Sequence, residues 1–165
     1  MVEHKALDVY LNDHLAGATG GCELALRCQA DYEGTPQGEV FAELATEIEE
    51  DRQTLEALME RLGTAKNPIK QAATLLMEKL SRVKLGGSSS AETDPSRLLM
   101  LETLYLGVEG KACLWRSLKQ VAGNYTAMAS TDFDTLIKRA ETQKGRLEQE
   151  RMAAATTALA KAGSV

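Results

Sequence analysis

SRLLMLETLYLGVEGKACLWRSLKQV, Ser96 to Val121, is apolar at helical spacing. With 3.6 residues per turn, Leu98, Leu101, Tyr105, Val108, Ala112 and Trp115 share one face. Glu102, Glu109 and Arg116 fall on the edge of that face, seven residues apart each time. Charges on the inward stripe of an apolar helix are costly unless they are paired or hold a metal. What those groups meet inside is therefore the question of function.

The rest of the chain repeats the helical pattern. Its three prolines follow Thr35, Asn67 and Asp94, each pairing a capping residue with proline at a first helical position. Thr131, with Asp134 three residues later, gives a fourth start resembling a capping box. Helices are expected over 3–32, 36–62, 68–83, 95–121 and 132–161, with Gly63 ending the second. The first has the inner stripe Leu7, Leu11, His14, Leu15, Ala18, Cys22, Ala25 and Gln29. Its glycine-rich stretch, Gly17 to Gly21, calls for a bend or a close backbone, with Gly107 and Gly110 as matching small residues. A phosphate-binding loop is disfavoured there, because no strand precedes it and no Lys-Ser/Thr follows.

On the second helix Phe41, Leu44, Ile48, Leu55, Met59 and Leu62 point inward. Asp51 and Arg52 occupy the middle, and Glu47, Glu49, Glu50 and Glu56 make a solvated outer face. The last helix turns Phe133, Leu136, Ile137, Ala140, Gln143, Lys144, Leu147, Arg151 and Ala154 inward. The segment GGSSSAETD, within 86–94, reads as a polar loop. Strand patterns are absent. Two hairpins of long helices joined by a long crossover make an all-α four-helix bundle, with a short fifth helix in the crossover. One domain of 165 residues is expected.

Composition narrows the function. A net charge of −5 argues against nucleic-acid or anionic-membrane binding. No apolar run approaches the roughly 20 residues that span a bilayer, and no signal peptide is legible, so a cytoplasmic protein is expected. Three cysteines without a CxxC pair read as buried thiols. No nucleophile is arranged with a histidine, so no catalytic residue is assigned. The acidic outer face and the Ala-rich end of the last helix suit homodimerisation.

EIEEDRQTLEALMERLG, 47–63, resembles the second helix of the ferritin-like superfamily, above all its small bacterial stress-associated members. The resemblance implies a ferritin-like bundle, with a Glu on the first and third long helices and Glu-x-x-His on the other two. Here those positions fall on Ile48 and Asp51 in the second helix, and the fourth has no Glu-x-x-His. Glu23 lies outward, whereas Glu102 and Glu109 lie inward. The inward set His14, Asp51, Arg52, Glu102, Glu109, Arg116, Lys144 and Arg151 therefore reads as an ion-pair network where a metal would sit. The expectation is a non-catalytic structural or interaction protein without a cofactor. A carboxylate-bound iron or manganese oxidase, or an iron-handling protein, is the alternative. An anion-binding module with Tyr105 as pocket wall is the second alternative.

Overall fold

A computed structural model describes residues 5–66 and 95–160. Among them there are four long helices and no strand. These are α1 (Lys5–Asp31), α2 (Pro36–Leu62), α3 (Ser96–Val121) and α4 (Phe133–Leu159), with two single 3-10 turns between α3 and α4. The helix expected over 68–83 lies outside the described residues.

The helix ends follow local chemistry, with three corrections. Pro36 opens α2, but the Thr35 hydroxyl does not cap it; it donates instead to the Tyr32 carbonyl at 2.6 Å. Pro95 sits just before α3, not within it. The cap of α4 is Asp132 and not Thr131: its carboxylate accepts from the Thr135 amide at 3.0 Å and from the Thr135 hydroxyl. Asp132 wins because an aspartate reaches both donors of the first turn. Gly34 and Gly63 adopt positive φ, 77° and 70°, which glycine takes without strain. Gly63 thus ends α2 as expected.

α1 and α2 form one antiparallel hairpin, α3 and α4 the other, and α1 packs along α3. Two apolar clusters fill the interior. One holds Cys28, Phe41, Leu44, Leu101 and Leu147; the other holds Leu11, Leu58, Trp115, Leu118 and Phe133. The start of α1 therefore lies beside the end of α3, and the start of α2 beside the end of α4. Both cross-hairpin pairs are antiparallel, and α2 runs parallel to α3. The end of α2 and the start of α3 consequently lie at opposite ends of the helix array. α1 ties down both of those points. Near the first, Thr64 donates to Asp8 at 2.7 Å and Asn12 donates to the Ala65 carbonyl. Near the second, Arg97 lies over the Tyr32 ring and donates to the Asp31 carbonyl.

The expected inner stripes hold at Leu11, Leu15, Cys22, Ala25, Phe41, Leu44, Ile48, Leu55, Met59, Leu98, Leu101, Val108, Ala112 and Trp115, all of them buried. Leu24, Cys28, Leu58, Leu104 and Leu114 are buried as well, so each stripe is wider than one row. A helix touching two neighbours buries an arc and not a line.

Close packing is not found at four of the glycines expected to need it, while Gly20 of the same stretch is buried. A Cβ built on Gly17, Gly21, Gly107 or Gly110 would meet nothing within 4 Å, so no close backbone approach calls for glycine at those four positions. α1 nevertheless continues through Gly17–Gly21 as α-helix. Gly38 is the contrary case, because its Cβ would stand 2.6 Å from the Tyr32 carbonyl oxygen. Alanine at Gly107 or Gly110 should therefore stabilise the fold by about 0.5–1 kcal/mol each. Gly38→Ala should cost on the order of 1–3 kcal/mol. Urea denaturation of the three variants checks both signs.

Candidate functional site: a buried ion-pair layer

Asp51 lies on α2 between Ile48 and Leu55, where helical spacing turns it inward between the two apolar clusters. It is 2% exposed and is the one buried carboxylate among the described residues. Three groups converge on it. Lys111 of α3 donates to Asp51 Oδ2 and, at 2.5 Å, to Gln143 Oε1. Arg139 of α4 donates to Asp51 Oδ1. Gln143, fully buried on α4, donates through Nε2 to Asp51 at 3.2 Å and to Glu47 at 3.0 Å. The layer then opens towards solvent between α2 and α4, where Arg139 meets Glu50 at 3.1 Å and Arg146 bridges Glu43 and Glu47.

Arg139 and Arg146 each bury an Nε without a partner among the described residues, whereas Asp51, Lys111 and Gln143 each meet a charged or amide partner. Such partnering is the condition under which a buried ion pair is tolerated. Burial pushes the Lys111 amine below its usual value, against the pull of Asp51. The thiol of Cys22, on the facing side of α1, is pushed up to about 12 by burial and by Glu49. It is thus a protonated core group and no nucleophile. Cys28 is likewise raised to about 12, chiefly by burial.

The residues anticipated from sequence fall into separate places. Asp51 is in the buried layer. Arg52 pairs along its own helix with Glu49 at 2.6 Å and Glu56 at 2.9 Å, and the guanidinium holds the Glu49 carboxyl down to about 2. Glu102, Glu109, Arg116, Lys144 and Arg151 form a second ladder on the rim between α3 and α4. There Glu109 meets Lys144 and Arg116, Arg116 reaches Glu141, and Arg151 spans Glu148 and Glu102. Arg116 is 43% exposed, so the ladder is a solvent-edge feature. Lys144 supports it, its amine held charged first by Glu109 and then by Glu141, and Lys144 in turn holds the Glu141 carboxyl below its usual value. His14 lies apart on α1 with its ring edge against Tyr10, and burial lowers its pKa. Tyr105 is half-buried against the first apolar cluster.

Seven members of the layer were not anticipated as site residues: Glu43, Glu47, Glu50, Lys111, Arg139, Gln143 and Arg146. The signal for Arg139 and Arg146 was their seven-residue spacing, which matches the Glu43, Glu47, Glu50 row on α2. That row is not simply solvated, because α4 packs its arginines against it. Cys113 is a further correction, being exposed on α3 beside Glu109 and Arg116 and not buried like the other two cysteines.

The chemistry of this arrangement is that of neutralisation. The buried layer sets Glu43, Glu47, Glu50 and Asp51 against Lys111, Arg139 and Arg146, four carboxylates to three cations. The rim sets Glu102, Glu109, Glu141 and Glu148 against Arg116, Lys144 and Arg151, again four to three. Among the described residues no three His, Cys, Asp or Glu side chains come together as a metal site requires. Arg52, Arg116 and Arg151 each already hold two carboxylates, which an incoming anion would have to displace. A groove of about 760 Å³ outside the α1–α2 turn, lined by Leu26, Glu33, Pro36 and Glu39 among others, includes none of the paired residues of the charged layer. No helix among the described residues is long and apolar enough to cross a membrane.

No family model matches the chain, and no curated protein or solved structure matches it either.

Proposed function

We propose that this chain is a ferritin-like helical bundle that works as a structural or interaction protein, not as a catalyst, with an ion-pair layer where metal-bearing bundles of that kind hold their ions. The observation that carries this reading is the double engagement of Asp51 by Lys111 and Arg139. Two cations on Asp51, the one buried carboxylate among the described residues, repel a divalent ion. The bundle assignment draws support from the two antiparallel hairpins and from the placement of the α2 end and the α3 start at opposite ends. In a ferritin-like topology one long crossover joins such hairpins. The layer's work is then to fix which helices pair and in what register, a role that buried charges can serve better than they serve stability.

The test is elemental analysis of protein purified without chelator, before and after soaking with Fe(II) or Mn(II). The expected result is no stoichiometric metal, with Glu102→Ala and Glu109→Ala each lowering stability by less than about 1 kcal/mol, as exposed pairs do. One or two ions per chain, lost on either substitution, would establish the alternative of a carboxylate-bound metal oxidase or iron-handling protein.

A further inference from the structure

The outward line of α3 differs from that of α2. The outward row of α2 is Glu39, Glu43, Thr46, Glu50, Gln53, Ala57 and Glu60, mostly charged or polar as expected of a face in water. The outward row of α3 is Leu99, Thr103, Leu106, Gly110, Cys113 and Ser117, without one charge. Its spacing alternates four and three residues, the seam of a coiled coil. Leu106 is 68% and Leu99 39% exposed on it.

We propose that this stripe is the contact by which two copies of the chain associate, α3 lying antiparallel on α3 about a two-fold axis near Val108. The proposal rests on reading the chain as an interaction protein and names the surface involved. Two independent features select this occupant and this direction.

The first is size. In an antiparallel seam each position of one row faces the alternate row of the second helix. With the axis near Val108, Leu99 faces Ser117 of the second copy, Thr103 faces its Cys113, and Leu106 faces its Gly110. Each leucine thereby meets one of the smallest side chains in the row. A parallel alignment would place Leu106 on Leu106 and Gly110 on Gly110, with a bulge and a gap in turn.

The second is charge. The flank of the stripe towards α4 carries Glu102, Glu109 and Arg116, seven residues apart. In the antiparallel alignment Glu102 comes beside Arg116 of the second copy, and the two-fold axis makes that pair twice. Both side chains are about two-fifths exposed, and the crossing pair would join or exchange with the bonds that Arg116 makes to Glu109 and Glu141 and Glu102 makes to Arg151. Glu109 would meet its own counterpart at the axis, but Lys144 and Arg116 already neutralise it. On the opposite flank Met100 and Leu114 are buried in the core, and Gly107, exposed between them, carries no charge. A symmetric contact of this kind must be self-complementary, and this one is so in both size and charge.

One helix against one helix falls short of the roughly 800 Å² per partner of a standard interface, so the association should be weak and concentration-dependent. Light scattering across protein concentrations up to about 0.5 mM should show the mass rising from 17.9 kDa towards twice that value. Leu106→Arg should remain monomeric throughout with unchanged helical circular dichroism, since the residue is exposed. Cross-linking reads the direction. Under mild oxidation Thr103→Cys should give a disulfide dimer with Cys113 of the second copy, abolished when Cys113→Ser is added. The wild type should give none, because the two Cys113 residues stand ten residues apart along the seam, roughly 15 Å, beyond disulfide reach.

Three results would overturn the proposal. One is a wild type that stays monomeric over the whole range. Another is a dimer that survives Leu106→Arg, which would move the contact elsewhere, for example to Met152 and Leu159 at the exposed end of α4. The last is a wild-type Cys113–Cys113 cross-link, which requires a parallel seam. Metal analysis and oligomeric state are read separately. Bound iron would sink the proposed function and leave the dimer standing, and a monomer would do the reverse.

Discussion

Asp51→Ala should destabilise the fold by about 3–5 kcal/mol, the range for removing one partner of a buried ion pair. The alanine leaves the Lys111 amine between a small cavity and the Gln143 oxygen, without the carboxylate that offsets its burial. Arg139 keeps only Glu50 at the exposed edge. Asp51→Asn should cost less, because its amide oxygen still accepts from Lys111. Lys111→Met should cost less again, within about 1–2 kcal/mol, since Asp51 retains Arg139 and Gln143. The decisive variant is the double one, Asp51→Leu with Lys111→Met, which replaces the pair by apolar groups of similar volume. It should recover most of the loss, as buried pairs exchanged for hydrophobic residues generally do. Urea denaturation followed by circular dichroism measures all four. If the double variant is as unstable as Asp51→Ala, the layer is no simple ion pair.

The sign of this coupling also shows what the layer contributes. If the double variant is as stable as the wild type, the charges are retained for something other than stability. In four long helices with broad apolar arcs, α2 could slide by a turn against α4 at little hydrophobic cost. Glu43, Glu47, Glu50 and Asp51 can meet Arg146 and Arg139 together in only one register. Loss of register specificity in the double variant would appear as lost near-ultraviolet dichroism at unchanged helix content.

Asp51 was legible in the sequence because its position between Ile48 and Leu55 leaves it no outward choice. The four long helices were legible for the same reason, together with their proline and glycine punctuation. Lys111 was not. It stands one residue before Ala112, about 100° off the centre of the α3 stripe, where a lysine ordinarily points to water. Its long stem instead turns the amine inward to Asp51. Arg139 and Arg146 were missed because their partners lie on a different helix, some 90 to 100 residues earlier. No local pattern records which helix a charged row will face. The rim ladder was legible as residues but not as a place, because the angle that sets Glu109 at the edge of α3 does not say whether α4 covers it.

Trp115→Ala should cost about 3–5 kcal/mol, the range for truncating a large core aromatic, and Trp115→Phe far less. Trp115 is 1% exposed and anchors the second apolar cluster beside Phe133 and Leu118. A buried indole ordinarily gives its N–H to an acceptor. Here Trp115 Nε1 has none among the described residues. Removing an unpaired N–H forfeits no hydrogen bond and relieves the desolvation of a polar group. Phenylalanine therefore loses only the volume difference, about 1–2 kcal/mol, whereas alanine opens a cavity among Leu11, Leu58 and Leu118. Chemical denaturation read by circular dichroism gives both values, fluorescence being useless once the single tryptophan is gone. A Trp115→Phe loss equal to that of Trp115→Ala would mean that the indole N–H is bonded and that the cluster is held by more than packing. The expected gap between the two places the cohesion of the Trp115 cluster in apolar contact, beside the Thr64–Asp8 and Asn12–Ala65 hydrogen bonds at the same end. Polar specificity is then concentrated at the level of Asp51.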